Sequence, residues 1–277
     1  MTKEQYIKSL LYVAAGLSII ILPVIVVWVA LNGAGALSWD FLTQAPYRLV
    51  KGGIYPQIIG SIYLVALSTL FGAPIGLISA IYLSEYAPDN VITQTVRFFT
   101  ETLAGVPSIV IGLFGLEFLV YELHLKTSLL AGALSLGIMM LPWTIRASEE
   151  AIKVVPKEFK EASLALGATK WQTMVRVVIP AALPGIITGI LLGMGKAIGE
   201  TAIVWLTAGS GSEGFVPASL QAPTGSLPMY IYLVATQAAA GSQHGYGAAL
   251  VLIAMFLSIS VSALLLRNYF LRKLYGR

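Results

Sequence analysis

Long apolar runs alternate with short polar segments along the whole chain. Ser9–Trp39, Gly52–Ser84, Thr127–Ile145 and Gly245–Leu266 contain no Asp, Glu, Lys or Arg. Phe98–Tyr121 is interrupted only by Glu101 and Glu117, and Ala181–Ala208 only by Lys196 and Glu200. Each run matches the roughly 20 residues that cross a hydrocarbon core. In lipid the backbone must satisfy its own hydrogen bonds, so the pattern predicts six transmembrane helices in an all-α, polytopic membrane protein.

Composition agrees. Of 277 residues, 57% are hydrophobic and 11% charged, and the mean hydropathy is +0.83. A water-soluble domain needs more charge than this to cover its surface. The absence of cysteine removes disulfides and thiolate-bound metals, and two histidines argue against a histidine metal site. No basic face interleaved with aromatics suggests nucleic acid.

The placement of positive charge orients the chain. With a cytoplasmic N-terminus, inside segments hold Lys3, Lys8, Arg97, Arg146, Lys153, Lys157, Lys160, Lys170, Arg176, Arg267, Arg272, Lys273 and Arg277. Outside segments hold only Arg48, Lys51 and Lys126. That asymmetry predicts both termini in the cytoplasm and an even number of spans. The first run is much longer than a signal-peptide core of about 7–15 residues, so it reads as a retained helix despite Ala34-Gly35-Ala36.

Proline and glycine punctuate the runs. Gly72-Ala73-Pro74-Ile75-Gly76, Pro107 and Pro142 predict kinks. Membrane helices tolerate such residues, so the kinks are as compatible with packing as with gating. Gly209–His244, rich in Gly, Ser, Pro and Gln and free of Lys and Arg, reads as an external loop. Its Gly209–Gly214 matches GxGxxG in form but lacks the flanking strand and helix of a dinucleotide site. Gly193-Met194-Gly195-Lys196 is not a Walker A loop, because Ala197 stands where Ser or Thr must hold magnesium.

The largest polar insertion is Arg146–Pro180. Pro156 suits a first helical turn, Phe159, Ala162, Ser163 and Leu166 share a face, and Gly167 suits a C-cap. Thr169-Lys170-Trp171-Gln172 has the form of a capping box opening a second short helix, which Pro180 is expected to end. Two amphipathic helices hinged at glycine fit either a lipid-headgroup surface or a groove in a partner subunit.

Glu161-Ala162-Ser163, Gly167, Val177 and Ile179-Pro180 resemble the EAA signature of permease subunits of type I ABC importers. Ser163, Val177 and Ile179 are mild departures from it. Gly105–Gly112, Ala182–Ile186 and Ala197–Ala202 resemble the phosphate-specific permeases. Gly52–Pro56 and Ile81–Tyr86 are more similar to their PstA-type than to their PstC-type members. The resemblance covers roughly residues 50–270 and implies a type I importer permease fold. It divides the chain into an N-terminal helix with its external loop (1–54), a permease core (55–270) with coupling helices at about 156–180, and a cytoplasmic tail (271–277). It also implies a PstC-like second permease, a PstB-like ATPase dimer carrying ATP and magnesium, and a PstS-like external phosphate-binding protein. The implied setting is a bacterial or archaeal inner membrane. Glu161, Ala162, Gly167, Trp171 and Pro180 would then couple the chain to the ATPase, and the chain itself would bind no cofactor and catalyse nothing.

Lys196, Glu200 and Thr201 are the candidate substrate pathway. Lys196 and Glu200 are four apart, which on one helix puts them on one face. At 1.5 Å per residue Lys196 lies about 24 Å beyond Pro180, inside the bilayer. A charge there costs about 3 kcal/mol on insertion scales and normally faces a cavity or a partner. A lysine can offset part of an anion's lost hydration as a point charge. The resembled family usually has Arg at that position, so a bidentate contact is lost here. Glu101 and Glu117 are weaker candidates, Glu101 near the cytoplasmic start of its helix and Glu117 near the outer end.

The chain thus reads as the permease of an ATP-driven phosphate importer. The alternatives are a permease for another oxyanion, such as molybdate or sulfate, and a self-sufficient secondary transporter, for which no internal repeat is visible. A membrane enzyme ranks last, since no nucleophile–base or metal constellation is visible.

Overall fold

In the computed structural model, residues 3–48, 50–211, 214–238 and 242–275 are described. Five helical stretches among them are long and apolar enough to cross a membrane: Tyr6–Ala36, Tyr55–Tyr86, Leu129–Lys153, Lys170–Ile198 and Gln243–Arg272. A bent pair, Val91–Ala104 with Ser108–Glu122, makes the sixth.

Helix α1 (Lys3–Gly33) leads through the short α2 (Trp39–Thr43) and a hairpin, β1 (Pro46–Arg48) with β2 (Lys51–Gly52), into α3 (Tyr55–Ile81). Next come α4 (Val91–Ala104), α5 (Ser108–Phe114), extended by a π-helical stretch Gly115–Glu122, and α6 (Leu129–Lys153). Beyond them lie α7 (Lys157–Ala165), α8 (Lys170–Thr173), α9 (Ile179–Ile198), α10 (Ala202–Thr207), α11 (Leu227–Gln237) and α12 (Gln243–Tyr275).

Helix α6 is the axis of the bundle, enclosed by α3, α9, α10 and α4. Close approach depends on glycine. Gly72 and Gly76 of α3 face Gly137 and Thr144, while Gly185, Gly189 and Gly193 of α9 face Ala151, Ala147 and Met140 with Thr144. Small residues four apart let helix backbones approach where lipid supplies no hydrophobic drive between helices. Two buried hydroxyls of α6 bond within their own helix: Ser135 donates to the Ala131 carbonyl at 2.8 Å and Thr144 to that of Met140 at 3.2 Å. By contrast α1 packs chiefly on α12, at Gly33 against the backbone of Tyr246 and Gly247, and its apolar side chains are exposed almost throughout. Such a surface belongs in lipid or against another membrane helix.

Apolar clusters fill the bundle in tiers. Phe41, Ile54, Leu227, Tyr230, Val234 and Ala248 close one end. Leu64, Ile111, Leu136, Met140, Ala197 and Ile203 form the middle. Ile81, Ile152, Val155, Met174, Val178 and Ile186 pack the end that also carries Arg97, Arg146 and Lys153.

The expected kinks resolve into packing at some prolines and a true break at one. Helices α3 and α6 run unbroken through Pro74 and Pro142. At Pro107 the chain turns by 108°, so Phe98–Tyr121 is not one straight span. Pro107 is extended (φ −57°, ψ 136°) and caps α5, its carbonyl accepting from the Val110 N–H at 3.0 Å. The run expected to be an external loop, Gly209–His244, contains α11, whose Leu227, Met229 and Tyr230 are buried. Leu227 N–H donates to Ser61 Oγ at 2.8 Å, which pins α11 to the start of α3. Residues 271–275 of the expected tail continue α12, and the rest of that tail lies outside the described residues, as do Ser212 and Glu213 of the GxGxxG stretch.

A methyl group at Gly189 would sit 2.5 Å from Ala147 Cβ, whereas one at Gly16 meets nothing within 4 Å. Gly189→Ala should therefore destabilise the detergent-purified protein by about 1–3 kcal/mol, and Gly16→Ala should not. Thermal unfolding of the two variants side by side checks this.

Candidate functional site

The fifth apolar run carries the mid-membrane charges. The helical span that holds most of it begins at α8, passes through a π-helical turn, Met174–Val178, and continues as α9. Pro180, expected to end the second short helix, instead sits in the first turn of α9. Proline has no N–H, and that position needs none within the helix once the π turn has shifted the bonding register.

Helix α9 stops at Ile198, and Gly199, Glu200 and Thr201 separate it from α10. Lys196 and Glu200 therefore do not share one helix, which corrects the expectation that they lie on one helix face. The Ala202 N–H donates to Glu200 Oε1 at 3.2 Å, so the carboxylate caps the start of α10. A short helix leaves its first N–H groups unsatisfied, and an anionic acceptor there is favourable. Lys196 Nζ instead lies over the Trp143 ring of α6, 5.2 Å from its centroid. The side chain is exposed at the surface of the chain. Thr201 is half-buried at the head of α10 and makes no side-chain capping bond. Its carbonyl accepts from the Trp205 N–H at 2.9 Å.

The glycine register fixes the depth of Lys196. Because Gly189 faces Ala147 and Gly193 faces Met140 and Thr144, Lys196 lies alongside the middle of α6. Counted from Ile179 it stands about 26 Å along α9. The other interrupted run meets it there. Gly112 of α5 packs against Ala202, Ile203 and Leu206 of α10, and Val106 joins the cluster containing Ala197 and Ile203. The helices that follow the two breaks, α5 and α10, thus pack on each other. Pro107 was legible as a kink; nothing in hydropathy marks Gly199–Thr201, and only the Gly-Glu-Thr triplet after Lys196 hints at a cap.

A second site lies at the far end of α9. Gly167 takes φ +83°, which glycine adopts without strain, and joins α7 to α8. The capping box is complete, with Thr169 and Gln172 each accepting from the other's backbone N–H at 3.2 Å and 2.9 Å. No residue of α7 is buried. Leu166 is 90% exposed and Trp171 60% exposed, beside exposed Glu161, Ala162 and Gly167. Pro180 stands apart from them, half-buried in the shaft of α9. On the second short helix, Met174 and Val178 turn inward while Trp171 and Val175 turn outward.

Glu101 pairs with Arg146 at 2.9 Å and Glu117 stands exposed in the π-helical stretch after α5. Among the described residues, no group of three or more His, Cys, Asp or Glu could hold a metal ion.

Residues 72–275 match the family described as "Binding-protein-dependent transport system inner membrane component". The chain is 36% identical over 241 residues to phosphate transport system permease protein PstA 1 of Mycobacterium tuberculosis (strain CDC 1551 / Oshkosh), covering 87% of this chain and 78% of that protein. It is 35% identical over 258 residues to a probable phosphate transport system permease protein PstA of Methanocaldococcus jannaschii, covering 92% and 91% respectively. Its fold is similar to a solved bacterial ABC transporter involved in alginate import, with a TM-score of 0.65, 15% identity and coverage of 96% and 95%. The six-span helical bundle and the family match over most of its length together place this chain in the family of inner membrane permease components of binding-protein-dependent transport systems.

Proposed function

We propose that the chain is the PstA-type permease subunit of an ATP-driven phosphate importer in a prokaryotic inner membrane. It would form the pathway with a PstC-like permease, receive phosphate from a PstS-like binding protein and dock a PstB-like ATPase pair that carries the ATP and magnesium. The observation that carries the reading is Lys196, an ammonium at mid-membrane depth held by an aromatic face and not by its own carboxylate. Cation–π contact supports a charge without neutralising it, so the ammonium keeps its attraction for an anion. A desolvated phosphate needs such a charge, and one charge with no fork of donors binds loosely enough to release.

The basic end, with Arg97, Arg146, Lys153 and the α7–α8 tip, is assigned to the cytoplasm by the positive-inside rule. Exposed Leu166 and Trp171 then form the knob that enters the ATPase. The mechanism needs no chemistry from this chain. Nucleotide-driven closure of the ATPase pair moves the knob, α9 carries the motion to Lys196, and the breaks beside it absorb the change in helix direction.

In proteoliposomes holding the full importer, Lys196→Ala should lower uptake of radiolabelled phosphate roughly tenfold or more with assembly unchanged, whereas Lys196→Arg should retain it. Unchanged uptake in Lys196→Ala would remove Lys196 from the pathway, and competition by molybdate or sulfate at equal concentration would redirect the substrate.

Glu200→Gln keeps an acceptor for the Ala202 N–H and should leave uptake near normal. Glu200→Ala should lose the cap, about 1 kcal/mol of local stability, and reduce uptake. If Gln proves as damaging as Ala, the charge and not the cap is what matters.

Leu166→Asp should prevent the ATPase from co-purifying with the tagged chain while the permease pair stays together. Retention of the ATPase would exclude the α7–α8 tip as its dock.

A further inference from the structure

Helix α7 projects from the bundle without burying a single residue, so apolar packing, chiefly Leu164 beside Met174 and Val178, holds its direction only weakly. Two polar contacts tie its side chains to the rest of the chain. Ser163 Oγ lies 2.9 Å from Thr173 Oγ1, joining α7 to α8 across the glycine hinge. Lys160 forms an ion pair with Glu85, which belongs to the π-helical turn Tyr82–Tyr86 at the foot of α3. Both side chains of that pair are about three-quarters covered, and Tyr86, Leu164, Met174 and Val178 line the small cleft beside them. Partial burial separates this pair from an exposed one, whose solvation leaves it with little influence on geometry.

The same π turn is anchored on its other side. Leu83 is buried, and its carbonyl accepts from Arg97 Nη2 of α4 at 2.7 Å. Arg97 also pairs at 3.0 Å with Glu149 of α6, a carboxylate only 3% exposed that takes a second bond from Lys153 at 2.6 Å. A polar chain therefore runs from α7 through Lys160, Glu85, the Leu83 carbonyl, Arg97 and Glu149 into α6. A carboxylate buried this deeply is held by its two cations, and removing either partner is costly.

We propose that Glu85 is a positioning residue for energy coupling: through Lys160 it fixes the coupling helix to the foot of α3, so that a push on α7 moves α3 and α4 together with α9. This rests on the reading of α7–α8 as the ATPase dock. Without the pair, α7 would swing about Gly167 and Pro156, and ATP would be hydrolysed without moving α3 and α4.

The test uses the complete importer in proteoliposomes, with ATPase co-purification, basal ATP hydrolysis and phosphate uptake per ATP measured on each variant. Glu85→Ala is expected to retain the ATPase and the basal hydrolysis rate but to lower uptake per ATP roughly tenfold. The exchanged pair, Glu85→Lys with Lys160→Glu, is expected to recover at least about half of it, as a direct contact requires. Normal uptake per ATP in Glu85→Ala overturns the proposal while leaving the dock intact, and so does an exchanged pair no better than Glu85→Ala. Failure of the unaltered chain to bring down the ATPase overturns the docking reading, and this proposal with it. Because the chain has no cysteine, Glu85→Cys with Lys160→Cys also allows the two sites to be joined by a thiol crosslinker. Uptake that survives crosslinking supports joint movement of α7 and α3, and uptake abolished by it refutes that movement.

Discussion

Backbone-to-backbone contact around α6 governs the remainder of the molecule. In lipid, a Leu side chain gains nothing by leaving one apolar neighbour for another, so helices hold together by dispersion at short range. Glycine provides that range on both flanks of α6, at Gly72 and Gly76 on one side and at Gly185, Gly189 and Gly193 on the other. This places α6 deep in the bundle while α1 and α12 stay at its margin. It also sets the register of α9, and through it the depth of Lys196. The position of the mid-membrane charge is thus a consequence of where three glycines fall.

From that register the breaks acquire meaning. Membrane-depth backbone can leave helical geometry only where protein surrounds it or water reaches it. Beyond the two interruptions α5 and α10 pack on each other, with Gly112 close to Ala202 and Ile203, while Gly105, Pro107 and Gly199 stay exposed at the surface of the chain. Glu200 satisfies one of the N–H groups exposed by the second break. That leaves Lys196 without its nearest carboxylate, and the Trp143 ring takes the place of a counter-ion. A lysine neutralised by Glu200 would have been a structural element; one supported by a ring face keeps its charge available.

Much of this was legible in the chain because lipid is a demanding solvent. Six apolar runs, the hinge at Gly167 and the capping box at Thr169–Gln172 all follow from short-range rules and all appear in the fold. What was illegible depends on contacts between distant segments. The spacing of Lys196 and Glu200 implies a shared face only if the helix is unbroken, and hydropathy is blind to the break at Gly199. Helix α11 is apolar from Leu227 to Ala235, but that run is too short to cross a membrane and its Gly-, Ser- and Gln-rich flanks mask it; Ser61 and neighbours such as Phe41 and Ala248 then hold it in the bundle. Pro180 read as a terminator because the π turn before it cannot be seen in a proline's spacing from its neighbours. The ion pairs Glu85–Lys160 and Arg97–Glu149 join residues far apart in the chain and leave no local pattern at all.

The span from Lys170 to Ile198 is one continuous helical rod, 29 residues long, with the exposed tip at one end and Lys196 near the other. It meets α6 most closely at Gly185, Gly189 and Gly193, opposite Ala151, Ala147 and Met140 with Thr144, and Ile186 between them packs in one cluster with Ile152 of α6. These contacts hold the rod against α6 over much of its length. The break at Gly199–Thr201 ends the rod just beyond Lys196, so α10 and its contacts with α5 can stay in place when the rod shifts. Stiff along its length and interrupted past the charge, α9 has the properties required of an element that changes the surroundings of one ammonium without disturbing the closed end of the bundle.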